Sequence, residues 1–114
     1  MRSKAALAGA RQASFNYIDA KNKAIKKAVS DYERLYASRL SKTALLAAAQ
    51  AAKVSLDAIR KEYEVGRKSL SDVLKAEEQH LSAATAAIAA EKDELSYLFT
   101  ALADVGMMSI DLFE

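Results

Sequence analysis

The chain predicts an all-α fold, a long antiparallel two-helix coiled-coil hairpin with unequal arms, and three observations predict it. Ala supplies about a fifth of the 114 residues, and Pro, Cys and Trp are missing altogether. Alanine has the best intrinsic helix propensity, whereas proline breaks a helix interior. Apolar residues recur at three- and four-residue spacing over two long stretches. Between those stretches lies one interruption with turn chemistry, Val65-Gly66-Arg67-Lys68-Ser69. The expected order is helix 3–64, tip turn 65–69, helix 70–105 and an irregular tail 106–114, all within a single unit.

The first helix is the looser pattern. Ile18, Ile25, Ala28, Tyr32 and Leu35 form one stripe, and Leu45, Ala49, Ala52, Leu56, Ile59 and Tyr63 form another, about one residue out of phase. The polar stretch Ser38–Thr43 separates them, so a phase slip with a change of packing partner is expected there. At the turn, Gly66 has no Cβ and is free to end the helix in the left-handed conformation. Ser69 follows as N-cap, with Asp72 three residues on to complete a capping box and to favour the positive helix end. The second helix is more regular. Leu70, Leu74, Leu81, Ala84, Ile88, Leu95, Leu98, Leu102 and Val105 fall on a heptad, with Glu77 and Glu91 in its polar gaps. At 1.5 Å per residue the arms would run ~90 Å and ~54 Å. Leu7, Phe15, Tyr17 and Ile18 on the longer arm are then left for something outside the hairpin to cover.

Charge supports the antiparallel pairing. Residues 1–50 hold ten Lys/Arg against three acids, and residues 51–114 seven against twelve, although the net charge is only +2. A reversal near residue 67 sets position i opposite 134 − i. Arg39 and Lys42 then face Glu91, Asp93 and Glu94, while Lys53, Arg60 and Lys61 face Glu77 and Glu78. Exposed pairs contribute only ~0–1 kcal/mol each, so they set register more than stability.

Several function classes are disfavoured. The most apolar windows, Ala44–Ala52 and Ala83–Ala90, are far shorter than the ~20 residues a membrane span needs. Met1–Leu7 has a positive end but no apolar core, so it is not expected to act as a secretory signal. His80 is alone, on a face read as exposed, and zinc wants three or four ligands. No metal or other cofactor is expected. The basic run Lys21, Lys23, Lys26 and Lys27 reads as a solvated helix face, and a near-neutral chain gives no reason to expect nucleic acid. No nucleophile–base–orienter set can be assembled, so no enzyme activity is expected.

The run Tyr63-Glu64-Val65-Gly66-Arg67-Lys68-Ser69-Leu70-Ser71-Asp72-Val73-Leu74-Lys75-Ala76 resembles the periplasmic-tip signature of the TolC family of outer-membrane efflux and type I secretion channels, roughly Y-x-V-G-x-R-T-x-x-D-V-L-x-A. Ala101-Leu102-Ala103-Asp104-Val105-Gly106 and Ile110-Asp111-Leu112 are similar to the end of the family's second repeat. The resemblance implies the periplasmic α-hairpin of an outer-membrane protein, excised from a trimeric α-barrel. Its tip would dock a periplasmic adaptor (membrane fusion) protein and, through it, an inner-membrane transporter. The implied adaptor-binding residues are Tyr63, Val65, Gly66, Arg67, Lys68, Ser69, Leu70 and Asp72. Tyr63, Lys68, Asp72 and Lys75 stand at positions implied in gating. Two of these depart from the family: Lys68 replaces an arginine and lacks its planar fork, and Lys75 stands where Asp or Asn is usual. The alternative is an adaptor-type or generic coiled-coil interaction module without a transport role. The adaptor tip resembles R-x3-L-x6-S, and none of Arg2, Arg11, Arg34, Arg39, Arg60 or Arg67 has leucine four residues on.

Overall fold

The computed structural model describes residues 3–113. It consists of two helices, α1 over Ser3–Glu64 and α2 over Leu70–Phe113, packed against each other in a rod measuring 97 × 22 × 13 Å. The all-α hairpin and its turn stand where the sequence puts them. The tail does not. Residues 106–113 continue α2 instead of unravelling, so the second arm spans about 66 Å. A lone Gly inside a helix costs only about 1 kcal/mol relative to Ala, and Gly106 keeps a negative φ. Met107 and Met108 meanwhile line a pocket with Ala24 and Lys27 of α1, which gives the last turns something to pack on. The overhang of α1 is correspondingly shorter, but residues 4–23 remain exposed.

One continuous seam joins the helices. On α1 the covered positions run Ala24, Ala28, Asp31, Leu35, Ser38, Lys42, Leu45, Ala49, Ala52, Leu56 and Ile59. That is an unbroken four–three alternation, so the expected phase slip is not there. Ser38 and Lys42 are seam positions occupied by polar residues, and Ile25 and Tyr32 belong to the neighbouring column. On α2 the seam runs Val73, Ala76, His80, Ala83, Ala87, Ala90, Glu94, Tyr97, Ala101, Asp104 and Met108. It lies one residue before the leucine heptad throughout. The heptad read from sequence is real, but its large members point away from α1: Leu81 is 67% exposed and Ile88 66%. Small side chains let two helix backbones approach closely, which explains why the alanine column takes the seam. His80 is consequently half-covered in the seam and not on an exposed face.

The columns have a further geometric consequence. One residue of advance turns each helix by about 100°. Because the helices run in opposite senses, these rotations bring the column after each seam to the same broad side of the hairpin. The Arg60–Glu77 pair at 2.9 Å, formed between those two columns, marks that side. It carries Ile25, Val29, Tyr32, Tyr36 and Leu46 from α1 and the leucine heptad from α2, almost all exposed. The opposite side is lined by Arg34, Ala37, Ser41 and Asp93 around an open groove of about 350 Å³, and by Ser82 and Ala86 nearer the tip.

The ion pairs hold the predicted register. Arg39 lies 3.4 Å from Glu94, with Lys42 on the same carboxylate, and Lys27 reaches Asp104 at 2.9 Å. With Arg60–Glu77 these all fall within three residues of the 134 − i alignment. Apolar burial is thin: Leu35 and Leu56 are covered at 4% exposure, and no large side chain is fully enclosed. Each therefore carries a large share of the packing energy. Leu56→Ala is expected to destabilise the hairpin by about 2–4 kcal/mol, whereas Val54→Ala, on an exposed position, changes it by less than about 0.5 kcal/mol. Urea unfolding followed by circular dichroism at one fixed chain concentration measures both. Equal effects would refute the seam.

Candidate functional site

The tip is built by two caps placed back to back. α1 ends because Gly66 adopts φ 82°, a conformation that L side chains avoid by about 1–2 kcal/mol. The reversal lets the Gly66 N–H donate to the Tyr63 carbonyl at 3.0 Å and the Arg67 N–H donate to the Glu62 carbonyl at 2.8 Å. Those two bonds form a Schellman motif, which satisfies carbonyls that the helix end would leave unpaired. α2 begins with the predicted capping box. The Asp72 N–H donates to Ser69 Oγ at 3.2 Å, and the Ser69 N–H donates back to Asp72 Oδ2 at 3.0 Å. The Ser69 hydroxyl also donates to Asp72 Oδ2 at 2.9 Å.

This closed ring lowers the Asp72 pKa below the ordinary carboxylate range. The backbone bond from Ser69 is the largest cause, the Ser69 hydroxyl comes next, and Lys68 and Lys75 add their charge. Lys68 itself lies 4.0 Å from Glu62. The structure thus joins Tyr63, Gly66 and Arg67 through the first cap, and Ser69 with Asp72 through the second. Lys75 stands exposed one turn further along α2. The apolar tip side chains have no such ties: Val65 is 69% exposed, and Tyr63 and Leu70 are also open to solvent. With the backbone groups satisfied internally, these side chains and the Arg67 and Lys68 charges are what the tip offers to a partner.

A second polar cluster escaped the sequence reading. Lys27 Nζ donates to Asp31 and Asp104 at 2.9 Å each, bridging the helices far from the tip. Asp31 is covered by the seam, and Asp104 Oδ2 is buried without a hydrogen-bond partner. Hydrogen bonding with Asp104, and then with the Lys27 ammonium, lowers the Asp31 pKa, while the two carboxylates raise that of Lys27. Nearby, the Arg34 guanidinium lies 5.8 Å from the centre of the Tyr97 ring. The 134 − i alignment already set Asp31 beside position 103, so this cluster was within reach of the sequence. Reading Lys27 as part of a solvated face hid it. Among the described residues no group of three or more His, Cys, Asp or Glu is placed to hold a metal ion, and no helix is long and apolar enough to cross a membrane.

Comparison of the chain with protein-family models, with curated proteins and with solved structures finds no match in any of the three.

Nothing lies within 4 Å of a Cβ built on Gly66, so substitution there tests the backbone alone. Gly66→Ala is expected to cost about 1 kcal/mol and Gly66→Asn distinctly less, since Asn tolerates the left-handed region; equal losses in thermal unfolding would argue against the Schellman end. The depressed Asp72 pKa has a defined sign. The cap contributes stability above the unfolded carboxylate value of roughly 3.9 and loses it as pH falls through the folded value. Amide exchange at residues 69–74 should accelerate on acidification from pH 6 to pH 2, beyond the intrinsic pH dependence. Asp72→Asn should lose that response.

Proposed function

We propose that the chain is the periplasmic α-helical hairpin of a TolC-like outer-membrane channel for type I secretion or drug efflux, and that its tip docks a periplasmic adaptor protein coupled to an inner-membrane transporter. The observation that carries this reading is the coincidence of the signature with the tip. Tyr63, Val65, Gly66, Lys68, Ser69 and Asp72, the residues that resemble the family motif, lie at the reversal of a long rod. They divide into two groups there. Gly66, Ser69 and Asp72 build the turn, and Tyr63, Val65 and Lys68 are exposed around it.

A docking role needs this division. A loop that must order on binding loses conformational entropy, whereas a tip whose caps are already closed presents side chains in place. Lys68 leaning toward Glu62 leaves its charge available for exchange with an incoming carboxylate. The exposed apolar side of α2 also suits a coiled-coil interaction module with no transport role, which keeps that second reading in play.

Binding of the hairpin to an adaptor hairpin, by calorimetry, separates the two. The double variant Gly66→Pro/Asp72→Lys breaks the turn, and Val65→Glu alters the tip surface while leaving its backbone bonds alone. The channel reading expects binding that falls at least about tenfold, or 1.4 kcal/mol, in both variants. A folded hairpin that does not bind, or that binds regardless of the tip, overturns it.

A further inference from the structure

The apolar broad side of the hairpin has no cover within the chain, and it goes beyond the tip-docking reading because it shares none of the residues that build the turn. A domain ordinarily closes its core between two layers, and this rod is one layer, 13 Å thick. We propose that the apolar side joins a second copy of the chain, stacked face to face about a two-fold axis parallel to the helices, with both tips at the same end. The product is a four-helix bundle.

Three features select this occupant and this arrangement. The first is register. The axis lays α1 of one copy over α2 of the other, again in opposite senses, so the 134 − i alignment holds between copies as it does within one. Leu46 then meets the partner's Ile88, Tyr32 meets the partner's Leu102, and Val29 meets the partner's Val105; all six are exposed in the single chain.

The second is charge. The two acidic interruptions in the leucine heptad are Glu77 and Glu91. Glu91 comes level with the partner's Thr43, one turn from Arg39. Glu77 comes level with Asp57, between Lys53 and Arg60. The other face-to-face two-fold, with tips at opposite ends, lays each helix on its own copy. It sets the basic column of Arg39, Lys53 and Arg60 against itself and brings Glu91 against Glu91. Like charges disfavour it.

The third is area. The overlapping stretch, about 66 Å of α2 by the 22 Å width, offers a footprint on the order of 1,400 Å² per chain, above the ~800 Å² per partner of a standard stable interface.

Sedimentation equilibrium of the full chain tests the association. The expected result is the mass of two chains, converted to one by Ile88→Glu through a dimer constant weakened at least about tenfold. Ala48→Glu, on the opposite side, leaves the dimer intact, and circular dichroism checks that both variants stay helical. Cysteine cross-linking tests the arrangement without relying on a charged substitution, because the chain has no cysteine of its own. A mixture of Tyr32→Cys and Leu102→Cys chains is expected to oxidise to a mixed disulfide dimer, while neither variant alone forms one. A monomer at high micromolar concentration, an assembly of more than two chains, or cross-linking within either variant alone would overturn the proposal.

Discussion

Close approach of two helices along an alanine-rich seam is the constraint on which the rest of this molecule depends. Ala76, Ala87, Ala90 and Ala101 are the covered residues of α2 alongside Val73. Their small side chains draw the α1 backbone in and leave no room for leucine between the helices. The large side chains are displaced one column round each helix, and the antiparallel sense collects both displaced columns on one broad side. A seam so poor in bulk also provides little apolar burial to define alignment. That task passes to charged groups at or beside the seam, above all Glu94 between Arg39 and Lys42 and Lys27 between two carboxylates.

This explains what sequence reading reached and what it missed. Hairpin topology, the turn and the charge alignment were legible because each rests on local chemistry or on a sum over many residues. Gly66 and Ser69–Asp72 have few alternative uses in such a spacing. The seam itself was misplaced on α2, because a heptad search weights leucine above alanine and therefore found the stronger apolar column. Only the structure shows which of two adjacent heptads meets α1. The same bias produced the false phase slip on α1. Ser38 and Lys42 look like an interruption when polarity is equated with exposure, yet they continue the pattern by position. The end of α2 was drawn at Gly106 by analogy with Gly66; a glycine ends a helix only where the chain turns, and Gly106 keeps helical dihedrals.

The tip and the rod divide their work. Backbone hydrogen bonds close the reversal with Glu62, Tyr63, Ser69 and Asp72 as the acceptors, so the turn does not draw on Val65, Leu70 or Arg67 side chains for its shape. Those positions can change with a partner's chemistry while the turn persists. The legible part of the candidate site is thus its frame. Its surface was legible only through a resemblance, because exposed side chains at a turn obey no packing rule that a sequence could betray.

The order of ties along the rod also sets a route by which the chain assembles. Arg60 and Glu77 close a separation of 17 residues, and Lys27 and Asp104 one of 77. For a flexible chain the longer closure costs about 1.3 kcal/mol more in entropy. Once the reversal and the Arg60–Glu77 tie exist, however, each next pair along the seam closes only a short remaining loop. The molecule therefore behaves as a zip fastener with its slider parked at Gly66, closing away from the tip and fraying first where Ala24 meets Met108.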